Sequence, residues 1–465
     1  MWPRNTGPFR GVIVCDWWWR RGHRVFFKSG GFSTASPTPQ LQPTSPLNAL
    51  AATIEQEAPH TYTARSERLG ALRYRDFRYL LFGQAVSAIG SWMQLVALGW
   101  LVYSLTGSAF YLGLIGLARA VPVLAFTLVG GAVADRYDRR TVMALANGAV
   151  AILAFAMGVL TWSGLIAVWQ VVAIAFLLGV AFSFEMPSRQ SLVSHVVAPK
   201  DVVNAVGLNS VAFNSAQILG PALAAVLIET IGEGGVFLLN GATSLAVVLT
   251  ALLIRPVPSD GGGGGGILAN MLVGLRYVRR TPELFALVAS MAVISLLARP
   301  YIQLLPAFAR DVLDVGASGL GALNSASGVG AVVGSMLVAM FGSYRGRGLA
   351  LMLSGATFGV ALVVFSLSTN FTLSLVASGA IGLLSAFTGI SSNTMLQTYS
   401  KPRLRGRVVS LHGLTMMGVV PLGVMLEGAL GSLIGVPLVV MIGGALTALV
   451  ALGTVLLVPR VRRLE

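Results

Sequence analysis

The sequence predicts an all-α membrane protein with twelve transmembrane helices in two pseudo-symmetric six-helix bundles. Three observations carry that expectation. The 465 residues are 55% apolar and only 11% charged, with a mean hydropathy of +0.78, whereas about a quarter of the residues of a soluble domain carry charge. The apolar residues gather into twelve long runs, with most basic residues in alternate gaps between them. The first six runs and the last six also share landmarks at a constant offset.

The runs occupy residues 79–103, 111–134, 141–162, 165–184, 208–228, 235–254, 284–308, 320–341, 349–367, 371–396, 409–430 and 436–458. Each is close to the roughly 20 residues that a helix needs to cross about 30 Å of hydrocarbon. Lipid cannot satisfy an open backbone, and none of the runs alternates as barrel strands do, so each is read as a helix.

Residues 1–70 come first, with Trp17-Trp18-Trp19 among Arg and Gly and a Pro/Ser/Thr/Gln stretch over 33–46. They lack the apolar core of a signal peptide and are expected to be disordered, either a functional tail or the product of a mis-set initiation codon. Residues 71–254 are expected to form the N-terminal bundle. In the linker at 255–283, Pro256, Pro258 and six glycines at 261–266 precede an amphipathic stretch, 267–280. Leu268, Met271, Leu272, Leu275 and Val278 share one face of it, with Arg276 and Arg280 off that face, as in a helix lying on the cytoplasmic leaflet. The glycine run is no phosphate loop, because Ile267-Leu268-Ala269 follows where Gly-Lys-Ser/Thr is required. Residues 284–458 make the C-terminal bundle, and 459–465 a cytoplasmic tail.

The net charge is +15. Of 32 Lys and Arg, 11 precede the first run and 18 lie in alternate later loops and the tail, leaving only Arg119, Arg299 and Arg310 elsewhere. That bias puts both termini in the cytoplasm of a multi-pass protein of the cytoplasmic membrane. No basic stripe with interleaved aromatics marks a nucleic-acid surface. A lone Cys15 excludes an internal disulfide, and neither it nor His195 and His412 has metal-ligand spacing, so no metal or cofactor is expected.

At an offset of 208, Leu112-Gly113 falls on Leu320-Gly321, and Arg139 falls on Arg347. Gly220-Pro221 in the fifth run and Pro421 in the eleventh are expected to interrupt their helices at similar depth. Parallel halves with broken helices at matching places mark an alternating-access transporter.

Between the second and third runs lies Gly131-Ala132-Val133-Ala134-Asp135-Arg136-Tyr137-Asp138-Arg139-Arg140. This block resembles the signature loop of the major facilitator superfamily. Gly131, Asp135, Arg136, Arg139 and Arg140 match its pattern, and Asp138 replaces the second Gly. Further blocks are Gly90-Ser91-Trp92-Met93-Gln94, Phe184-Glu185-Met186-Pro187-Ser188-Arg189, Leu219-Gly220-Pro221, Arg299-Pro300-Tyr301 and Arg405-Gly406-Arg407-Val408. Together they resemble the bacterial efflux branch grouped with enterobactin (siderophore) exporters. The departures are Gln217 where many relatives carry Arg, Ser91 where many carry Asp, and Glu185 where Asp is commoner. The resemblance implies a monomeric secondary active exporter of a siderophore-like, drug-like or other amphipathic or anionic small molecule, with proton antiport.

A charged side chain in the bilayer core is expensive, so each one there is a functional candidate. Arg119 and Arg299 fall in the membrane interior in opposite halves and are expected to line a central cavity. Alternatively, each pairs with an acid or caps carbonyls freed by Pro122 or Pro300. Gln84, Gln94 and Gln217 either line the path or bond neighbouring helices. Glu427 is the candidate proton carrier, or a plain interfacial residue. By resemblance, Asp135 pairs with Arg407 across the cytoplasmic gap, with Glu185 and Arg189 meeting the charged loop, while Arg136, Arg139 and Arg140 latch or simply fix orientation. The spans hold no converging nucleophile, base or metal cluster, which argues against an enzyme. A non-transporting sensor on the same fold is the remaining alternative.

Overall fold

The computed structural model describes residues 70–256, 275–340 and 346–457. The leading segment, the glycine run with the start of the amphipathic stretch, the second charged loop at 343–345 and the tail from 458 lie outside the described residues. All regular structure among the described residues is helical. The long helices are α1 (Arg75–Thr106), α2 (Ala109–Arg136), α3 (Arg139–Trp162), α4 (Val168–His195) and α5 (Val202–Leu253) in the first half. The second half holds α6 (Pro282–Leu297), α7 (Tyr301–Ala307), α8 (Gly316–Met340), α9 (Arg347–Leu367), α10 (Phe371–Tyr399), α11 (Arg405–Leu414), α12 (Val420–Ile434) and α13 (Val436–Leu457).

Eleven helical stretches among the described residues are long and apolar enough to cross a bilayer. The longest contains α5, which turns at Gly232 with φ 71° and ψ 173°. A residue without Cβ accepts that conformation freely, so α5 supplies both the fifth and the sixth span.

The fifth span is not interrupted at Gly220-Pro221 as expected; α5 stays helical through both residues. Pro221 forfeits one helical hydrogen bond, to the Gln217 carbonyl. One residue along, the Ile218 carbonyl accepts a bond from Ser325 Oγ at 3.1 Å. Gly220 serves close packing, since a Cβ there would stand 3.1 Å from the Ile89 carbonyl oxygen of α1. In the eleventh span a π-helical turn, Thr415–Val419, joins α11 to α12, whose second residue is Pro421. The seventh span breaks as well, between α6 and α7, and ends in a second π turn, Phe308–Val312.

Within the first half, α1 and α3 pack on α5 and α2 packs on α4; within the second, α8 packs on α10 and α9 on α13. Lipid tails are as apolar as leucine, so such contacts are held by close van der Waals packing through small residues. Gly330 and Gly334 of α8 meet the backbone of α10 at Gly379 and Leu383 in this way. The halves meet through α5 with α8 and α2 with α12. Both seams use the repeated glycine. A Cβ on Gly113 would lie 2.8 Å from the Val424 carbonyl oxygen, and one on Gly321 would lie 2.7 Å from that of Pro221.

Candidate functional site

A cavity of about 390 Å³ opens inside the first half. Its polar lining includes Gln84, Ser91, Gln94, Arg119, Glu185 and Arg189, and its apolar lining includes Trp92, Phe182 and Phe213. Close approach of α2 and α4 builds the wall that holds Arg119. A Cβ on Gly179 would stand 2.6 Å from the Pro122 ring, and Ser183 Oγ donates to the Pro122 carbonyl at 3.1 Å. That crossing sets the Arg119 guanidinium 5.9 Å over the Phe182 ring.

Arg119 has no hydrogen-bonding or acidic partner among the described residues. An arginine at the bilayer centre costs about 2.5–3.5 kcal/mol by insertion scales. A cation–π contact near its outer limit of about 6 Å returns roughly 0.5–1 kcal/mol, so Phe182 does not offset the cost. Arg299 differs. It donates to the Ser385 carbonyl of α10 at 3.2 Å, and it is not among the residues lining the cavity in the first half. Neither arginine caps a carbonyl freed by its neighbouring proline.

The other polar residues lie in compact networks. Arg189 pairs with Glu185 at 3.3 Å and donates to Gln84 Oε1 at 3.3 Å, so Glu185 and Arg189 meet each other and α1 rather than the charged loop. Gln94 accepts a bond from Asn240 within the same cavity wall. Gln217 is half-buried in α5 and is not part of that wall. Glu427 of α12 is 2% exposed, with its carboxyl beside Gly443 of α13, and among the described residues neither carboxyl oxygen has a hydrogen-bond partner. It sits inside the second half, away from the cavity.

At the rim that carries the basic loops, Asp138 accepts from the Arg140 backbone N–H at 3.2 Å, which caps α3. Its carboxylate also holds Arg140 Nε at 2.7 Å, while Arg140 Nη1 donates to the Ile254 carbonyl at 2.7 Å. Arg140 is therefore tied down within its own half, and Asp138 has a use that a glycine could not supply. Arg139 is buried, Asp135 and Arg136 are exposed, and Gly131 has open space where a side chain would stand; the close approach to α4 is at Gly130. No ion pair joins Asp135 to Arg407 among the described residues. Nearby, Tyr74 donates to Asp201 Oδ2 at 2.9 Å, and that bond to a carboxylate raises the phenol above the ordinary tyrosine range.

The opposite rim is joined. Tyr103 at the end of α1 donates its phenol hydrogen to Asp311, and Arg310 Nη1 donates to the Tyr103 carbonyl at 3.1 Å. Arg310 also lies 6.0 Å from the Tyr103 ring. Asp311 follows Tyr103 by 208 residues, the offset of the internal repeat, so the two occupy equivalent places in the two halves.

A family model described as transmembrane secretion effector matches residues 66–465. The chain belongs to that family. Secretion effectors of this kind are membrane transporters of the major facilitator superfamily, not enzymes. The chain is 26% identical to the multidrug efflux pump Tap of Mycolicibacterium fortuitum, over 83% of its own length and 96% of the pump's. It is 24% identical to macrolide efflux protein A of Streptococcus pyogenes, over 76% and 89%. It is 24% identical to the staphyloferrin A transporter of Staphylococcus aureus, over 77% and 90%. Among solved structures, the nucleoside transporter NupG superposes with a TM-score of 0.70 at 14% identity, covering 82% of this chain and 98% of its own. A bacterial homologue of the human lysosomal transporter Spinster, inward-facing and unoccupied, superposes at 0.60 with 16% identity, covering 83% and 96%.

In this secretion effector the joined rim escaped the sequence reading. Arg310 was visible as a basic residue in an otherwise neutral outer loop, beside Asp311 and Asp314. The offset of 208, applied nine residues before Leu112-Gly113, would have set Asp311 against Tyr103.

Proposed function

We propose that the protein is a secondary active exporter that moves a small siderophore-like, drug-like or other amphipathic or anionic molecule across the cytoplasmic membrane by alternating access, in exchange for protons. The observation that carries this reading is the contrast between the two rims. Among the described residues, the hydrogen bonds between halves run from mid-depth, at Ser325 and Ile218, to the far rim, at Tyr103, Arg310 and Asp311. At the basic rim no ion pair joins Asp135 to Arg407 among the described residues. Beyond the α5–α8 seam, Val203, Val206 and Val211 on one helix and Val329, Val333 and Met336 on the other are exposed. With the basic loops in the cytoplasm, as the charge bias requires, this is an inward-open monomer with both termini inside.

In the opposite state, Asp135 and Arg407 close the inner rim. A partly solvated ion pair contributes about 0–1 kcal/mol, while moving a population from 1:99 to 99:1 takes about 5.5 kcal/mol. Several contacts must therefore change together, with Tyr103–Asp311 opening as Asp135–Arg407 forms. Glu427 is the proposed proton carrier, because an isolated carboxyl between packed helices is sensitive to any motion that admits water. Efflux by Tap and macrolide efflux protein A, and siderophore carriage by the staphyloferrin A transporter, support the direction and the solute class.

Reconstituted vesicles under an imposed pH gradient test the proposal, with a panel of siderophores and antibiotics as solutes. The wild-type protein is expected to concentrate at least one of them, and E427Q to lose at least tenfold of the gradient-driven accumulation while still binding it. Undiminished accumulation by E427Q would remove the coupling role. No movement of any solute by the wild type would remove transport itself.

A further inference from the structure

We infer, resting on the transporter reading above, that the cavity of the first half is an organic-anion subsite anchored by Arg119, and that its ligand carries one negative charge on an apolar ring system. A monocarboxylate or monosulfonate of drug-like size is the chemistry that fits.

The charge count of the cavity decides the valence. Its ionisable lining residues are Arg119, Glu185 and Arg189. Glu185 and Arg189 form an ion pair at 3.3 Å, and a second arm of Arg189 is engaged by Gln84, so these two charges cancel. Arg119 is left without an ion pair or hydrogen bond among the described residues. The field in the cavity is that of one uncompensated cation at reduced dielectric. A cationic solute is repelled, and a dianion leaves one charge unmatched. Arg299 does not enter the count, because it does not line this cavity.

Shape and surface complete the match. About 390 Å³ lies within the roughly 300–1,000 Å³ of drug-sized sites. Trp92 and Phe213 stand edge to face with centroids 6.0 Å apart and offer an apolar, aromatic wall, while Phe182 lies beneath the guanidinium. The planar fork of an arginine matches a carboxylate or sulfonate through two parallel bonds. Gly179 packs against the Arg119 backbone and the Pro122 ring, so the anchor is fixed at its root.

Three naphthalene compounds that differ mainly in charge test the inference on the full chain in detergent by calorimetry: 1-naphthoate, 1-naphthamide and 1-naphthylmethylammonium. The wild type is expected to bind naphthoate at least tenfold tighter than the amide, and the ammonium not measurably. R119Q should bind naphthoate and amide alike, its retained amide affinity reporting an intact pocket, and R119K should keep part of the preference. E185Q raises the count to two positive charges and should bind 1,4-naphthalenedicarboxylate tighter than naphthoate, the reverse of the wild-type order. A wild type that does not discriminate by charge, an R119Q that discriminates like wild type, or an R299Q that loses more preference than R119Q overturns the subsite. Flux of the same compounds in vesicles separates the two readings. Charge-selective binding with no flux of these compounds or of any solute in the panel above keeps the subsite and removes transport, whereas flux with an unaltered preference in R119Q keeps transport and removes the subsite.

Discussion

Tyr103 and Asp311 join the halves through a hydrogen bond to a charged acceptor, a class worth about 1.5–3 kcal/mol net. Asp311 is exposed, which places this bond at the lower end, or roughly tenfold in the balance between a closed and an open far rim. Y103F and D311N are each expected to raise the far-open population about tenfold, and the double variant no further. Spin labels at Leu105 and Leu433, both exposed near this rim in opposite halves, would report the change as a longer distance component. Additive effects in the double variant would show that the two residues act separately. At the same scale lies the difference between Arg119 and Arg299. Depth along a helix can be read from residue spacing, and it placed both in the membrane interior. Direction around the helix and the identity of a partner on another span cannot be read that way. Only the folded packing separates a guanidinium bonded to the Ser385 carbonyl from one facing an open cavity.

The elements were legible where the bilayer itself sets the rule. Hydrocarbon thickness fixes span length, so the runs read from the sequence coincide with the observed helices to within a few residues at most ends. Interruptions were less legible, because a proline breaks a helix only when its surroundings let it. Pro221 lies inside a packed seam and leaves α5 continuous, and the turn in α5 comes at Gly232, in the gap expected between the fifth and sixth runs. Both π turns fall in spans seven and eleven, and nothing in their residue types announces them. The glycine seams give a prediction of their own. G113A would drive a methyl group against the Val424 carbonyl and the Met425 backbone, atoms that cannot swing away. Overpacking of this kind costs typically 1–3 kcal/mol. G113A is expected to unfold at lower temperature and to spread the same pair of spin labels, while G148A, where a Cβ meets nothing within 4 Å, should be neutral or gain up to about 1 kcal/mol. Equal behaviour of the two variants in thermal unfolding would mean that the α2–α12 seam is not tight.

At the scale of the whole molecule, the two-bundle architecture was legible from the offset of 208 and from the alternation of charge, since both are properties of the entire chain. The rims were not, because each is assembled from residues more than two hundred positions apart. That no ion pair joins Asp135 to Arg407 among the described residues leads to a measurable expectation. D135R and R407D should each reduce vesicle transport severalfold, and the exchanged pair should recover most of it, because the charge-reversed latch still closes. Failure of the exchange to recover flux would dissociate the two residues. The far rim has a different logic. A pseudo-twofold axis sets each residue near it opposite its own counterpart, so a chain repeated without change would confront Tyr103 with a second phenol or Asp311 with a second carboxylate. Two carboxylates would repel and two phenols would forgo the ionic acceptor. The donor and acceptor exist only because the copies have diverged at that position, and so a homodimer of either half alone could not make this seal.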